Sequence, residues 1–451
     1  MNVLALIFFV ICAAALLAVP RKWAPVPLLV GCCYMTLGQG IELGPVSLPI
    51  FRMLLVVGML RAVIKGEKVE DLGNSIDKLM AWFAGWIFFA SFFHDGVLGS
   101  GPVYVIGQIV NLAAVYFLMR AWCRDLTEVT GVITIVAFML APIALEMASE
   151  KVLRVNQFSI FGGVPHDVAF REGKFRAQGP FRHPILAGTV GSVCLPLFVG
   201  IWRSNRLGSI VGIASALCMV LASASSGPIM SAMASVFALV MWRFRHLTKL
   251  ARISAVVAYF GLQIVTGEPG YFVMKRIDIS GGSTGYHRAK LIQSAFDHFD
   301  EWWLFGTDLT RHWMATGVSY TPYHTDITNY YLGFGVMAGF PAVLLMIAML
   351  LMAFRWVGIV CARHIERDAP NAFMVWCLGA GMFAHAATSV SVAYFDQSAV
   401  FFWMNLAIIS SIYSGEKQLD EAGREEEQAE EFPPGQDRGF PELTPKPIGN
   451  A

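Results

Sequence analysis

The feature that most constrains this chain is a succession of apolar stretches, roughly thirteen of them, each close to the length a helix needs to cross a hydrocarbon layer. They fall at residues 1–19, 24–40, 47–64, 79–95, 103–121, 128–147, 185–202, 208–222, 226–242, 252–267, 329–354, 372–391 and 398–413. A bilayer interior offers no water, so every backbone N–H and C=O there must find a partner within the protein, and a helix achieves this inside one segment. With 56% hydrophobic and 14% charged residues and a mean hydropathy of +0.58, the chain is too apolar for a water-soluble domain. The expected fold is an all-α polytopic membrane protein of about 12–13 transmembrane helices.

Charge gives this architecture a direction. Lys and Arg gather in alternate connections, at Arg21-Lys22, 65–78, 120–124, 203–206, 243–252 and 355–367. Cytoplasmic connections carry such an excess, so the N-terminus is expected outside and the C-terminus inside. Residues 1–19 lack a basic n-region and a small-residue cleavage site before Pro20, and are read as a retained first span. Two long connections, 148–184 and 268–328, then share the outer side and hold most of the polar chemistry. Neither contains a cysteine, so no disulfide framework is implied. The membrane domain is expected to span residues 1–413. The segment 414–451, with its Glu run (Glu425, Glu426, Glu427, Glu430, Glu431) and its later prolines, is expected to be a disordered cytoplasmic tail. No repeat of fixed period is present, and a net charge of +1 argues against a nucleic-acid partner.

The first outer connection carries Arg154, Arg171, Lys174, Arg176, Arg182 and His183, on the side where the positive-inside bias would not place them. A guanidinium presents a planar fork that pairs with two phosphate oxygens and does not lose its charge, which suits a lipid-linked diphosphate. Contact with lipid headgroups, at about 1 kcal/mol per charge, is the competing explanation. The run Phe175-Arg176-Ala177-Gln178-Gly179-Pro180-Phe181-Arg182-His183-Pro184 leads straight into an apolar span. Ser223-Ala224-Ser225-Ser226-Gly227-Pro228 opens another. The second outer connection contains Gly285-Tyr286-His287-Arg288, then Trp302-Trp303-Leu304-Phe305-Gly306-Thr307-Asp308. It ends in His324-Thr325-Asp326-Ile327-Thr328-Asn329-Tyr330-Tyr331-Leu332, ahead of Gly339-Phe340-Pro341.

In their order and spacing, over residues 170–345, these motifs resemble those of the O-antigen ligase and polymerase family, bacterial inner-membrane glycosyltransferases that use glycans linked to polyprenyl (undecaprenyl) diphosphate. The chain departs from that pattern in two places. The family often has an arginine in the Ser-rich helix start, and here there is none. The histidine that usually precedes the asparagine is replaced by Thr328, the nearest upstream histidine being His324.

The resemblance implies a metal-independent, inverting transfer of a glycan from the lipid diphosphate to an acceptor hydroxyl, with the active site facing the periplasm and no cofactor. Such a reaction needs cations for the departing diphosphate and a base for the hydroxyl. By resemblance Arg176 and Arg288 are the diphosphate-binding residues, with Arg171 and Arg182 as helpers. His324 is the candidate base, and Asp326 either orients it or serves as base itself. The expected partners are the lipid-linked oligosaccharide donor, a glycan acceptor, membrane lipids and other polysaccharide-assembly proteins. The ending of the second loop looks more like the polymerase members, in exopolysaccharide or lipopolysaccharide assembly, with ligation to a lipid A core as the alternative.

Three other readings compete. His298, Asp300, Glu301, Asp308 and His312 match no metal-ligand spacing and read as a solvated helix face, with Trp302 and Trp303 at headgroup depth. Ala224-Ser225-Ser226-Gly227 with His385 superficially resembles an intramembrane serine protease, but small residues there also serve close helix packing. A transporter fits the many spans; transporters, however, usually place polar residues or helix breaks at mid-membrane and have two similar halves, which this sequence does not show. Arg52 and Arg61, in the third span, are expected to be snorkelling or paired.

Overall fold

The structure is a computed structural model and describes residues 1–44, 46–95, 101–276, 285–319 and 321–431. In chain order it comprises α1 (Val3–Ala18), α2 (Pro25–Tyr34), a hairpin of β1 (Gly40–Leu43) and β2 (Val46–Pro49), α3 (Ile50–Ile64), α4 (Ser75–Ala90), α5 (Pro102–Ile109) and α6 (Val115–Trp122). Then come α7 (Leu126–Leu153), a second hairpin of β3 (Ala169–Arg171) and β4 (Lys174–Arg176), α8 (Pro184–Gly200), α9 (Arg206–Ala222), α10 (Ser226–Val240) and α11 (Thr248–Thr266). The chain continues through α12 (Gly285–Asp297), α13 (Phe299–Trp302), α14 (Tyr330–Arg367), α15 (Ala369–Ser389) and α16 (Ala399–Glu431). Among the described residues, six helical segments are long and apolar enough to cross a membrane: Ser75–Phe93, Pro102–Trp122, Leu126–Leu153, Arg245–Thr266, Tyr330–Glu366 and Ala369–Ser389. Shorter apolar helices lie at Val3–Ala18, Pro184–Gly200, Arg206–Ala222 and Ser226–Val240. The fold is thus helical, with helices long and apolar enough to cross a membrane, in keeping with the apolar pattern.

Two expectations are corrected. The apolar stretch 24–40 does not form one span: α2 ends at Tyr34, and the chain turns into the β1–β2 hairpin, with Gly40 opposite Pro49. Gly38, Gly40 and Gly44 weaken a helix here, and Gly44 adopts φ +59°. The acidic tail is not irregular from residue 414, because α16 carries helix on to Glu431; residues 432–451 of the expected tail lie outside the described residues.

The helices α7, α8, α9, α10 and α15 pack around one another, and α8 is buried almost throughout. Glycines let its neighbours approach: a Cβ at Gly191 would lie 2.6 Å from the Ala216 carbonyl oxygen. By contrast α11 buries no residue, and its apolar side chains face outward, as on a helix facing lipid. Arg61 is paired as expected, 2.6 Å from Glu67 and 1% exposed, with the Trp122 indole N–H also donating to Glu67. A second buried pair joins Arg120 and Asp77, and Tyr116 and Ser414 complete it.

The second long connection is fastened to α14 at a break in that helix. Ala338 and Gly339 leave helical geometry, Gly339 at φ +79° and ψ 176°. The turn after α13 enters the gap: Phe340 N–H donates to the Trp303 carbonyl and Thr307 N–H to the Val336 carbonyl, both at 2.9 Å. The Trp86 indole N–H donates to the carbonyl of buried Ala338 at 2.7 Å, and Phe93 stacks flat on Phe305. At the start of α14, the Asn329 side chain accepts the Leu332 N–H at 3.0 Å. An Asn329→Ala protein is therefore expected to lose about 1 kcal/mol of stability, read as a lowered thermal midpoint in detergent; an unchanged midpoint would remove the capping role.

Candidate functional site

The site begins with the turn that carries the first arginine motif. Gly179 sits at φ +56°, which allows the Gly-Pro turn to close. At the end of α7, Glu150 accepts the N–H groups of Gln178 and Gly179, the latter at 2.8 Å. Asn156 donates to the Gly179 carbonyl and Gln397 to the Pro180 carbonyl, at 2.9 and 3.0 Å. A turn pinned from three directions fixes the residues on either side of it.

Arg176, at the end of β4, is 8% exposed, and its guanidinium donates to the Ser225 hydroxyl at 2.6 and 3.2 Å. Ser225 is the N-cap residue of α10, but its hydroxyl does not cap the helix and instead donates to the Ser223 carbonyl. Arg288, in the first turn of α12, is also 8% exposed, and its Nε has no hydrogen-bond partner among the described residues. Its Nη2 lies 3.9 Å from where a Cβ on Gly227 would be. Two guanidinium groups, one from each long connection, therefore meet at the first turn of α10.

The electrostatics bear the signature of a shared pocket. Burial lowers the pKa of Arg288, as do the charges of Arg171 and Arg176, while Asp326 raises it. Burial also lowers that of Arg176, with Arg171 acting in the same direction. His183 is pushed down to about 4, first by burial and then by Arg176, Arg171 and Arg288, so its imidazole is neutral at ordinary pH. Its Nδ1 accepts the Ile185 N–H, making it the N-cap of α8. Arg171 is exposed on β3, 3.5 Å from Glu172.

The two base candidates are held differently. Asp326, half-buried, has its carboxyl raised by burial and lowered by His287 and Arg288, and so belongs to the arginine pocket. His324 lies 3.3 Å from the Thr310 hydroxyl, and the charges that act on it are those of Asp308 and His94; burial lowers its pKa. Asp308 pairs with His94 at 2.8 Å and so joins the second connection to the end of α4. Arg182 is exposed and lines a separate cavity, while its backbone N–H donates to buried Asp396 at 2.9 Å.

Spacing gave no reason to group His298, Glu301 and His312, yet the fold gathers them with potential ligand atoms within 4.8 Å of one another. Glu301 accepts from the Trp313 indole and pairs with His312, both at 2.9 Å, which fastens the segment at Trp313 to α13. The serine protease arrangement is not formed, because Ser225 is occupied by Arg176 and His385 bonds the Tyr394 hydroxyl at 2.9 Å. Sequence reasoning missed Glu150 and Thr310, and it named Ser225 only within the Ser-rich motif, without its bond to Arg176. A carboxylate pair, Glu146 and Glu150, one turn apart at the end of a long apolar run, was the available signal for the first.

No protein-family model matches the chain, and no curated protein matches it.

Proposed function

We propose that this protein is a membrane glycosyltransferase that moves a glycan from a polyprenyl diphosphate to an acceptor hydroxyl, and that it polymerises lipid-linked repeat units. The observation that carries the reading is the pair of buried guanidinium groups, Arg176 and Arg288, brought from separate connections to one helix start with no carboxylate hydrogen-bonded to either among the described residues. Burying cations costs free energy unless an anion compensates, and a diphosphate supplies charge and acceptor oxygens matched to two planar forks. The N-terminus of α10 adds its partial positive charge on the same side.

In this reading the acceptor oxygen attacks the anomeric carbon, the bond from that carbon to the diphosphate oxygen breaks, and the anomeric configuration inverts. The acceptor proton passes to a base, and polyprenyl diphosphate departs between the arginines. Of the two base candidates, Asp326 is favoured by its interaction with Arg288. Its raised carboxyl pKa places the acid limb of the rate profile above the ordinary carboxylate value near 4, with activity rising as pH increases through it. Asp326→Asn is expected to lose that limb and at least about 100-fold in rate. An unchanged profile in Asp326→Asn, beside an inactive His324→Ala, would transfer the role to His324.

The reading is tested by gel and mass analysis of surface and carrier-linked glycans from cells whose only copy is Arg176→Gln or Asp326→Asn. Single repeats accumulating on the carrier support polymerisation; full-length chains stranded on the carrier support ligation to a lipid A core. Normal glycans with the variant proteins present in the membrane would overturn the assignment in favour of transport.

A further inference from the structure

A cavity of about 600 Å³ lies beside the arginine pocket, and none of Arg176, Arg288, His324 or Asp326 lines it. Its walls come from the β1–β2 hairpin, the start of α5, the turn into α6, the start of α14 and the approach to α16. Phe51, Leu112, Phe334 and Trp403 supply apolar surface; Arg52, Gln108, Asn111 and Tyr330 supply polar groups. His183 and Phe395 lie between the cavity and the arginine pocket: their rings are 6.4 Å apart, His183 feels the three arginines, and Phe395 is a cavity wall.

Arg52 is the unusual member. Its partners are neutral: Nε donates to the Asn111 amide oxygen at 3.0 Å, and Nη1 donates to the Ser47 carbonyl at 2.5 Å. No carboxylate pairs with it among the described residues, unlike Arg61 in the same helix and Arg120 in α6. Room for its guanidinium is made by Gly107, where a Cβ would stand 2.8 Å from Nη1. Asn111 belongs to a π-helical turn, Val110–Ala114, that interrupts the run from α5 to α6, a distortion that occurs frequently at functional sites. The sequence thus spends a glycine and a helix irregularity on holding an uncompensated cation at the wall of a roomy, aromatic-lined cavity.

We infer that this cavity is the acceptor subsite, and that it takes a glycan bearing an anionic group, a carboxylate or phosphate that meets Arg52 while sugar faces pack on the exposed rings of Tyr104 and Phe395. The inference rests on the glycosyltransferase reading and deepens it. Aromatic faces, a few convergent amides and two arginines, Arg52 and Arg182, suit a sugar acid better than a purely apolar guest, and the one carboxylate in the lining, Asp396, is buried and accepts the Arg182 backbone N–H. The same chemistry could be supplied by a lipid phosphate headgroup, so the experiment separates the two sources.

The full-length protein in phosphatidylcholine nanodiscs is titrated with four probes: undecaprenyl diphosphate, a hyaluronan tetrasaccharide as acidic glycan, chitotetraose as neutral glycan, and added phosphatidylglycerol. The acidic tetrasaccharide is expected to bind more tightly than the neutral one. Arg52→Gln should weaken its binding about tenfold, as for loss of one charge-assisted contact, while leaving undecaprenyl diphosphate binding unchanged. Val103→Trp, which fills the rim of the cavity without altering a charge, should also weaken tetrasaccharide binding. Arg288→Gln should show the reverse pattern. Equal binding of the two tetrasaccharides, no binding of either, or insensitivity to both Arg52→Gln and Val103→Trp would overturn the proposal. Competition by phosphatidylglycerol at Arg52 without tetrasaccharide binding would assign the cavity to a lipid and overturn it too. Insensitivity of undecaprenyl diphosphate to Arg288→Gln would instead strike the glycosyltransferase reading.

Discussion

An Arg288→Gln protein is expected to transfer glycan about 100- to 1,000-fold more slowly than the parent while folding at least as well, a combination that few buried-charge substitutions give. On the proposed reading, the rate follows from the loss of a positive fork at the point where negative charge would collect on a departing diphosphate. Stability should hold because the Arg288 Nε has no partner among the described residues and burial already disfavours the charge, so a neutral amide of similar reach removes a penalty rather than a bond. Release of polyprenyl diphosphate in nanodiscs measures the first, and a thermal midpoint the second. Arg288→Lys should recover only part of the rate, since an ammonium keeps the charge but not the two-pronged geometry. A full rate in Arg288→Gln would mean that the arginine pocket does not hold the leaving group.

Gly339→Ala is expected to be the most damaging single-methyl change among the glycines of α14. At φ +79° and ψ 176° the backbone occupies a region that is essentially glycine's alone, at a cost of about 1–3 kcal/mol for another residue. The added Cβ would also stand 1.9 Å from the Leu304 carbonyl oxygen, which belongs to backbone and cannot rotate away. The turn 302–307 would have to leave the break in α14, taking with it the hydrogen bonds of Phe340 and Thr307. Gly333 provides the control. It lies in the same helix with nothing within 4 Å of its Cβ position, so Gly333→Ala should raise stability by about 0.5–1 kcal/mol. Similar thermal midpoints for the two alanine variants would refute the seated-turn description.

What could be read from the sequence follows physical scale. Spans were legible because each is set by a long local run of apolar residues, and thus α7, α14 and α15 lie close to where the runs predict. The end of α2 was not, because the hairpin that replaces it is decided by three glycines acting against a hydrophobic average. The helical continuation of α16 past Ser414 was hidden by composition, since Glu, Lys, Gln and Ala suit a helix as well as they suit a solvated coil. Within the site, the motifs named Arg176 and Arg288 as candidates, and the fold brings both to the start of α10. They did not reveal that Asp326 and Arg288 influence each other electrostatically while His324 lies beside Thr310, because that depends on how residues 308–326 fold back on themselves: Thr310 and Arg311 N–H groups both donate to the Tyr323 carbonyl, and Asp326 N–H to that of Val318. Arg52 was the converse case, expected to snorkel or pair, and held instead by an amide and a carbonyl through a glycine slot that spacing does not encode.

The seating of residues 302–307 in the broken start of α14 also sets an order of events during synthesis. Arg288 leaves the ribosome before Gly339 does, and the connection that carries Arg288, already able to reach the end of α4 through Asp308 and Phe305, gains its seat in α14 when Val336, Ala338 and Gly339 are available to receive the turn and the Trp86 indole. Chains are made from the N-terminus at about 5–20 residues per second, so the arginine-bearing loop spends seconds without its seat. A nascent chain halted before residue 339 would present both arginine motifs in an unassembled state. Completion of α14 thus completes the seating of the arginine-bearing connection, which couples the final geometry of the pocket to synthesis of the following helix rather than to that of the loop itself.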